Sequence, residues 1–137
     1  MKSEECNATL SQREFATALI IMFNVIIALG SNTCPAVHVQ WASQWLSHTF
    51  HDVRLSRTLW TPDIKGTGRY YMNRLAIATT TLSREAVEQL LKETEARTGR
   101  NPDRVTLDLD LMQYDDTHYH LKDWPRPYIQ QLIPDIL

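Results

Sequence analysis

The sequence predicts a single α+β domain with the element order β-α-β-β-α-β, and three observations carry that prediction. Four stretches are either continuous β-branched apolar runs or alternate apolar and polar residues, as strands do. Two stretches between them repeat their apolar residues at the helical spacing of three and four. Glycine, proline, serine and asparagine gather at the joints, where turns and caps need them. At 137 residues the chain suffices for one domain with a real core.

The first strand is Phe23 to Leu29, an apolar run closed by Gly30. "GSNTCP" turns the chain, and Pro35 suits the first turn of a helix. That helix runs to about Thr49, with Val37, Trp41 and Trp45, flanked by Ala42 and Leu46, expected as its buried stripe. His51 to Trp60 reads as a strand, "TPDIKGTGRY" as a loop, and Tyr71 to Leu82 as a longer strand. Ser83 is placed to cap a second helix whose core residues are Val87, Leu90, Leu91 and Thr94. Glu88–Lys92 and Glu93–Arg97 have the favourable order for i,i+4 pairs, and Gly99 ends the helix. Val105 to Tyr114 is the last long strand, and a short helix from about Pro127 to Leu132 closes the chain. This is the ferredoxin-like arrangement, an antiparallel sheet with helices packed on one face.

Composition narrows the partners. A formal charge of −2 supplies no global basic field for nucleic acid or an anionic membrane. Stacking aromatics on central strands with a basic face, as an RNA binder needs, are not evident. Cys6 and Cys34 stand in no metal-ligand or redox spacing, which favours a reduced, cytoplasmic protein. His118 and His120 lack the soft companions a zinc site requires. Phe15 to Gly30 is apolar but short for a bilayer, and reads either as a secretory signal or as an apolar lead into a buried strand. Because the strand starts just after Met22, residues 1–21 are expected to be an extension of doubtful role and 22–137 the functional domain.

"VTLDLDLMQY" (105–114) carries the chemistry. Val105, Leu107, Leu109 and Leu111 form one face, while Asp108 and Asp110 share the other at a Cα spacing of roughly 7 Å. Aspartates are disfavoured in strands and like charges on one face repel, so the pair needs a reason. Two hard carboxylates without soft ligands suit magnesium, which shares its shell with phosphates. Arg97, Arg100, Arg104, Lys122 and Arg126 flank the strand, and arginine forks match phosphate oxygens. A solvated acidic face with arginine counter-ions is the other reading of the same pattern. No Walker loop is present.

"IALGSN" (27–32), "TP" (61–62), "YMN" (71–73) and "TLDLDL" (106–111), in this order, resemble hydroxymethyl-dihydropterin pyrophosphokinase, over about Phe23 to Ile133. The resemblance implies transfer of pyrophosphate from ATP to the pterin hydroxymethyl oxygen, releasing AMP. It implies Asp108 and Asp110 as ligands of two magnesium ions, and Thr61, Pro62, Tyr71 and Asn73 as the pterin pocket. In "HLKDWPRPY" it implies His120 and Arg126 on ATP and Tyr128 stacked on the pterin. Small-molecule pterin and ATP, no nucleic acid or membrane, and a monomer are the partners and state expected.

The chain also departs from that family. The family's longer basic loop is reduced to Asn101–Thr106, and the arginine three places before the first aspartate is Val105. Arg100 matches the loop's first arginine. Arg104 shares strand parity with Asp108 and is expected to replace the lost one. Two alternatives follow, a weak or inactive paralogue that binds pterin or nucleotide, and a ferredoxin-like interaction domain.

Overall fold

The computed structural model describes residues 20–63 and 65–137, so most of the N-terminal extension lies outside the described residues. The elements are β1 (Phe23–Ser31), α1 (Pro35–Thr49), β2 (His51–Leu55), β3 (Leu59–Pro62), β4 (Tyr70–Thr80), α2 (Arg84–Ala96), β5 (Asp108–Tyr114), β6 (Thr117–His118) and α3 (Pro127–Ile136). One antiparallel sheet runs β2-β4-β1-β5-β6, with β3 also paired to β4. The ferredoxin-like α+β class stands. The strand expected over His51–Trp60 is two: three residues, Ser56 to Thr58, face only Arg74 and Leu75 between the two paired segments. Ser56 fills the break by accepting the Leu75 N–H on its hydroxyl (2.8 Å) and the Arg74 Nε on its carbonyl (2.7 Å).

Alternation along β1 splits the apolar residues between two cores. Val25, Ile27 and Leu29 pack with Ala42 and Leu46 of α1, Val87 and Leu91 of α2, and Leu107, Leu109 and Leu111. Ile26 packs on the other face with Leu75, Met112 and Ile129, Leu132 and Ile136 of α3. The helices of the two βαβ halves therefore share one face, as expected, and the C-terminal helix covers part of the opposite one. Each fully buried aliphatic here stabilises by about 1.5–3 kcal/mol before chain entropy is charged.

Two local expectations change. Helix α1 buries Val39, Ala42, Ser43 and Leu46, whereas Val37 is 68% and Trp41 38% exposed. The small Ala42 and Ser43 let the helix approach the sheet, which turns the Val37–Trp41 edge outward. Ser83 caps α2 through the Ala86 N–H at 3.2 Å, but neither expected i,i+4 pair forms. Glu88 takes Arg84 (3.0 Å), Glu93 takes Gln89 (3.0 Å), and Arg97 lies over the Trp41 ring at 5.6 Å.

Candidate active site

Strand register assembles the site. Gly30 in the central strand β1 is partnered by Asn73 on β4 and by Asp108 on β5. The next row on the same face is Leu75–Ala28–Asp110. Helix α3 packs on Leu75 and Ala28, and the Asn73–Gly30–Asp108 row lies beyond the residues it covers. Gly30 matters here because no side chain stands between the amide and the carboxylate.

A third carboxylate joins the aspartates. Glu95 falls four residues after buried Leu91 in the last turn of α2, and that phase brings it to the outer edge of β5. There it accepts the Leu109 N–H (2.9 Å), a strand-edge donor that no neighbouring strand takes. Glu95, Asp108 and Asp110 each offer an oxygen within 4.8 Å of the others'. Such crowding is unfavourable for three anions. Burial first, then the Asp108 charge, pushes the Asp110 carboxyl up to about 7, and burial raises Glu95 too. Arg100 relieves part of the repulsion by donating from Nη1 to Glu95 (2.7 Å) and Asp108 (2.9 Å), while His120 Nε2 stands 3.9 Å from Asp110. An all-oxygen donor set with excess negative charge fits a hard divalent cation such as magnesium.

These groups line a cavity of about 1040 Å³ that also meets Tyr71, Val105, Lys65 and Lys92. Beside it Asn73 is buried and donates Nδ2 to the Thr61 hydroxyl (2.7 Å), while its Oδ1 lies toward Gly30. Asn32 ties this wall to the α2–β5 connection. Its Nδ2 donates to the Tyr71 hydroxyl (3.2 Å), and its backbone and side chain hold Val105 (2.9 and 3.0 Å). Tyr128 on α3 is half-buried, and burial followed by the charge of Asp123 raises its phenol, with Asp110 and Asp108 adding to the effect.

Of the residues singled out from the sequence, Asp108, Asp110, Arg100, His120 and Tyr71 share the cavity wall, and Thr61 and Asn73 adjoin it. Pro62 is exposed opposite Tyr70 at the end of β3. Arg126 is paired with Asp123 at 2.7 Å. Arg104 is exposed and absent from the cavity wall. Arg104 does not share a strand with Asp108, because β5 begins only at Asp108 and a tight Asn101–Arg104 turn precedes it. Sequence reasoning passed over Glu95, Lys65 and Lys92. For Glu95 the signal was its phase with Val87 and Leu91.

A model of the family described as 7,8-dihydro-6-hydroxymethylpterin-pyrophosphokinase matches residues 26–134. The chain belongs to this family. A comparison with curated proteins found no match. The span matched by the pyrophosphokinase family runs from the middle of β1 into α3 and so contains every cavity residue named above. The family's reaction is transfer of pyrophosphate from ATP to hydroxymethyldihydropterin in folate synthesis, with magnesium. Among the described residues no helix is long and apolar enough to cross a membrane.

Proposed function

We propose that this chain transfers a pyrophosphoryl group from ATP to the hydroxymethyl oxygen of 6-hydroxymethyl-dihydropterin and releases AMP. The observation that carries this reading is the Asn73–Gly30–Asp108 row. It sets backbones roughly 10 Å apart, two strand spacings, with an amide able to read a pterin edge on one and the carboxylate cluster on the other. A flat ring laid along the row over Gly30 has its edge at Asn73 and its hydroxymethyl group toward the aspartates. Thr61 fixes the Asn73 amide by accepting its Nδ2, and Tyr128 supplies a ring to stack on the pterin face.

Glu95, Asp108 and Asp110 would hold magnesium, which supplies positive charge to the phosphates and to the developing leaving group. Arg100 spends only Nη1 on Glu95, Asp108 and the Leu107 carbonyl, so Nε and Nη2 remain for phosphate oxygens. His120 and Arg126 are the other ATP contacts of this reading. The hydroxymethyl oxygen attacks the β-phosphorus, the bond from that phosphorus to the oxygen bridging the α-phosphate breaks, and AMP departs with that oxygen. The hydroxyl proton is lost to water. Catalysis of this kind is mostly alignment and charge stabilisation. One observation favours slow turnover, since the short α2–β5 connection brings Arg100 but not Arg104 into the cavity wall.

Calorimetric titration of 6-hydroxymethyl-dihydropterin, with magnesium and a non-hydrolysable ATP analogue present, tests this reading. One saturable pterin site is expected, and absence of binding overturns it.

A further inference from the structure

Four basic side chains stand in the wall of the carboxylate cavity: Lys65, Lys92, Arg100 and His120. Arg100 is held by Glu95 and Asp108, and His120 leans toward Asp110. Among the described residues neither lysine has an ion-pair partner. Glu88, the remaining acid of the wall, is taken by Arg84 at 3.0 Å. Two cations of the cavity wall are thus outside any ion pair, although the Asp63 charge reaches Lys65, and a polyanion is the ligand that would pair with them.

Lys65 comes from the β3–β4 loop, whose described residues are held by hydrogen bonds. Asp63 accepts the Lys65 N–H (3.0 Å) and the Thr67 hydroxyl (2.6 Å). Gly66 and Gly68 take the positive φ values (67° and 80°) that such a tight path requires. Arg69 reaches across and donates to the Asp103 carbonyl at 2.6 Å, tying the loop to the α2–β5 connection. All these bonds use other groups than the Lys65 ammonium, and the residue lines the cavity. The α2–β5 connection itself contributes Arg100, Asn101, Pro102 and Val105 to the wall, a single cation.

We propose that Lys65 is a phosphate-binding residue of this chain. From the β3–β4 loop it supplies the cation that the short α2–β5 connection does not bring over the triphosphate. This rests on the pyrophosphoryl-transfer reading. Lys65→Ala should fold as the parent does, because the loop's hydrogen bonds do not involve the ammonium, and thermal melting checks that.

The test is titration of magnesium–ATP and of adenosine into the parent, Lys65→Ala, Lys65→Arg and Arg97→Ala. Lys65→Ala is expected to lose roughly 10- to 100-fold in ATP affinity, as for one charge-assisted phosphate contact, with adenosine affinity unchanged. Lys65→Arg should recover most of the loss. Arg97→Ala removes the same charge beside Trp41 and should match the parent. Equal ATP affinity for parent and Lys65→Ala overturns the proposal and leaves the reaction standing. Parallel weakening toward ATP and adenosine overturns it as well. A parent that binds no ATP overturns the reaction reading itself, and this proposal with it.

Discussion

The fold opposes the ionisation of Asp110. Its carboxyl is pushed up to about 7 by burial and then by Asp108, so its unfolded value near 4 lies well below its folded one. A raised folded pKa contributes stability that is full below about pH 4 and is lost as pH rises through about 7. In EDTA, Asp110→Asn should therefore melt above the parent at pH 8, with the difference shrinking toward pH 5. Thermal melts across that range check the sign. The same substitution, like Asp108→Asn, should abolish AMP release with the fold retained. Asn73→Leu strands the Thr61 hydroxyl and removes the amide that we propose reads the pterin edge. A loss of about 1–3 kcal/mol, roughly 5- to 150-fold in pterin affinity, is expected by titration. The aspartates were legible because carboxylates on a strand contradict local preference, and such contradictions mark sites. Glu95 was hidden because glutamate is at home on a helix, and only its phase with Leu91 sets it apart. The cations were harder to place. Arg104 is close to the strand in sequence but sits in the Asn101–Arg104 turn outside the cavity wall, whereas Lys65 lines the cavity from a loop far away in sequence.

Among the elements, the three-strand row is what makes a site, and Gly30 is its test. A Cβ there would stand 3.7 Å from Asn73 Oδ1 and 3.9 Å from Asp108 Cβ, ordinary contact distances. Gly30→Ala should fold normally yet place a methyl where the ring would lie. Pterin affinity is expected to fall about 5- to 150-fold, the cost of overpacking by one methyl, with ATP affinity nearly unchanged. Equal losses for both ligands would argue against a ring lying along the row. Strand existence was readable from alternation, but pairing was not. The Ser56–Thr58 break depends on side-chain bonds to β4 that period-2 patterning does not encode. Helix α1 shows the matching limit for helices. Val37, Trp41 and Trp45 keep the right period, yet the buried stripe follows the small residues that permit close approach to the sheet.

At the scale of the molecule, the βαβ order was legible because each half carries an apolar strand run followed by a helix of helical apolar period, the second one capped by Ser83. The second core was not, since it needed α3 to run on past Leu132 to Ile136 and fold over the far face of the sheet. Phe23 opens β1 and stacks on Tyr114 at 5.1 Å, while Ile20, Ile21 and Met22 are exposed. A chain beginning at Met22 should therefore melt within about 3 °C of the full chain, the shift expected for less than roughly 0.5 kcal/mol. A larger fall would mean that the extension packs on the domain. ³¹P NMR of the parent with ATP, magnesium and 6-hydroxymethyl-dihydropterin reads directly which bond in ATP is broken. AMP and a pterin diphosphate are expected in equal amounts, both absent when EDTA replaces magnesium. Release of ADP, or an unchanged ATP spectrum with pterin and magnesium present, would contradict it.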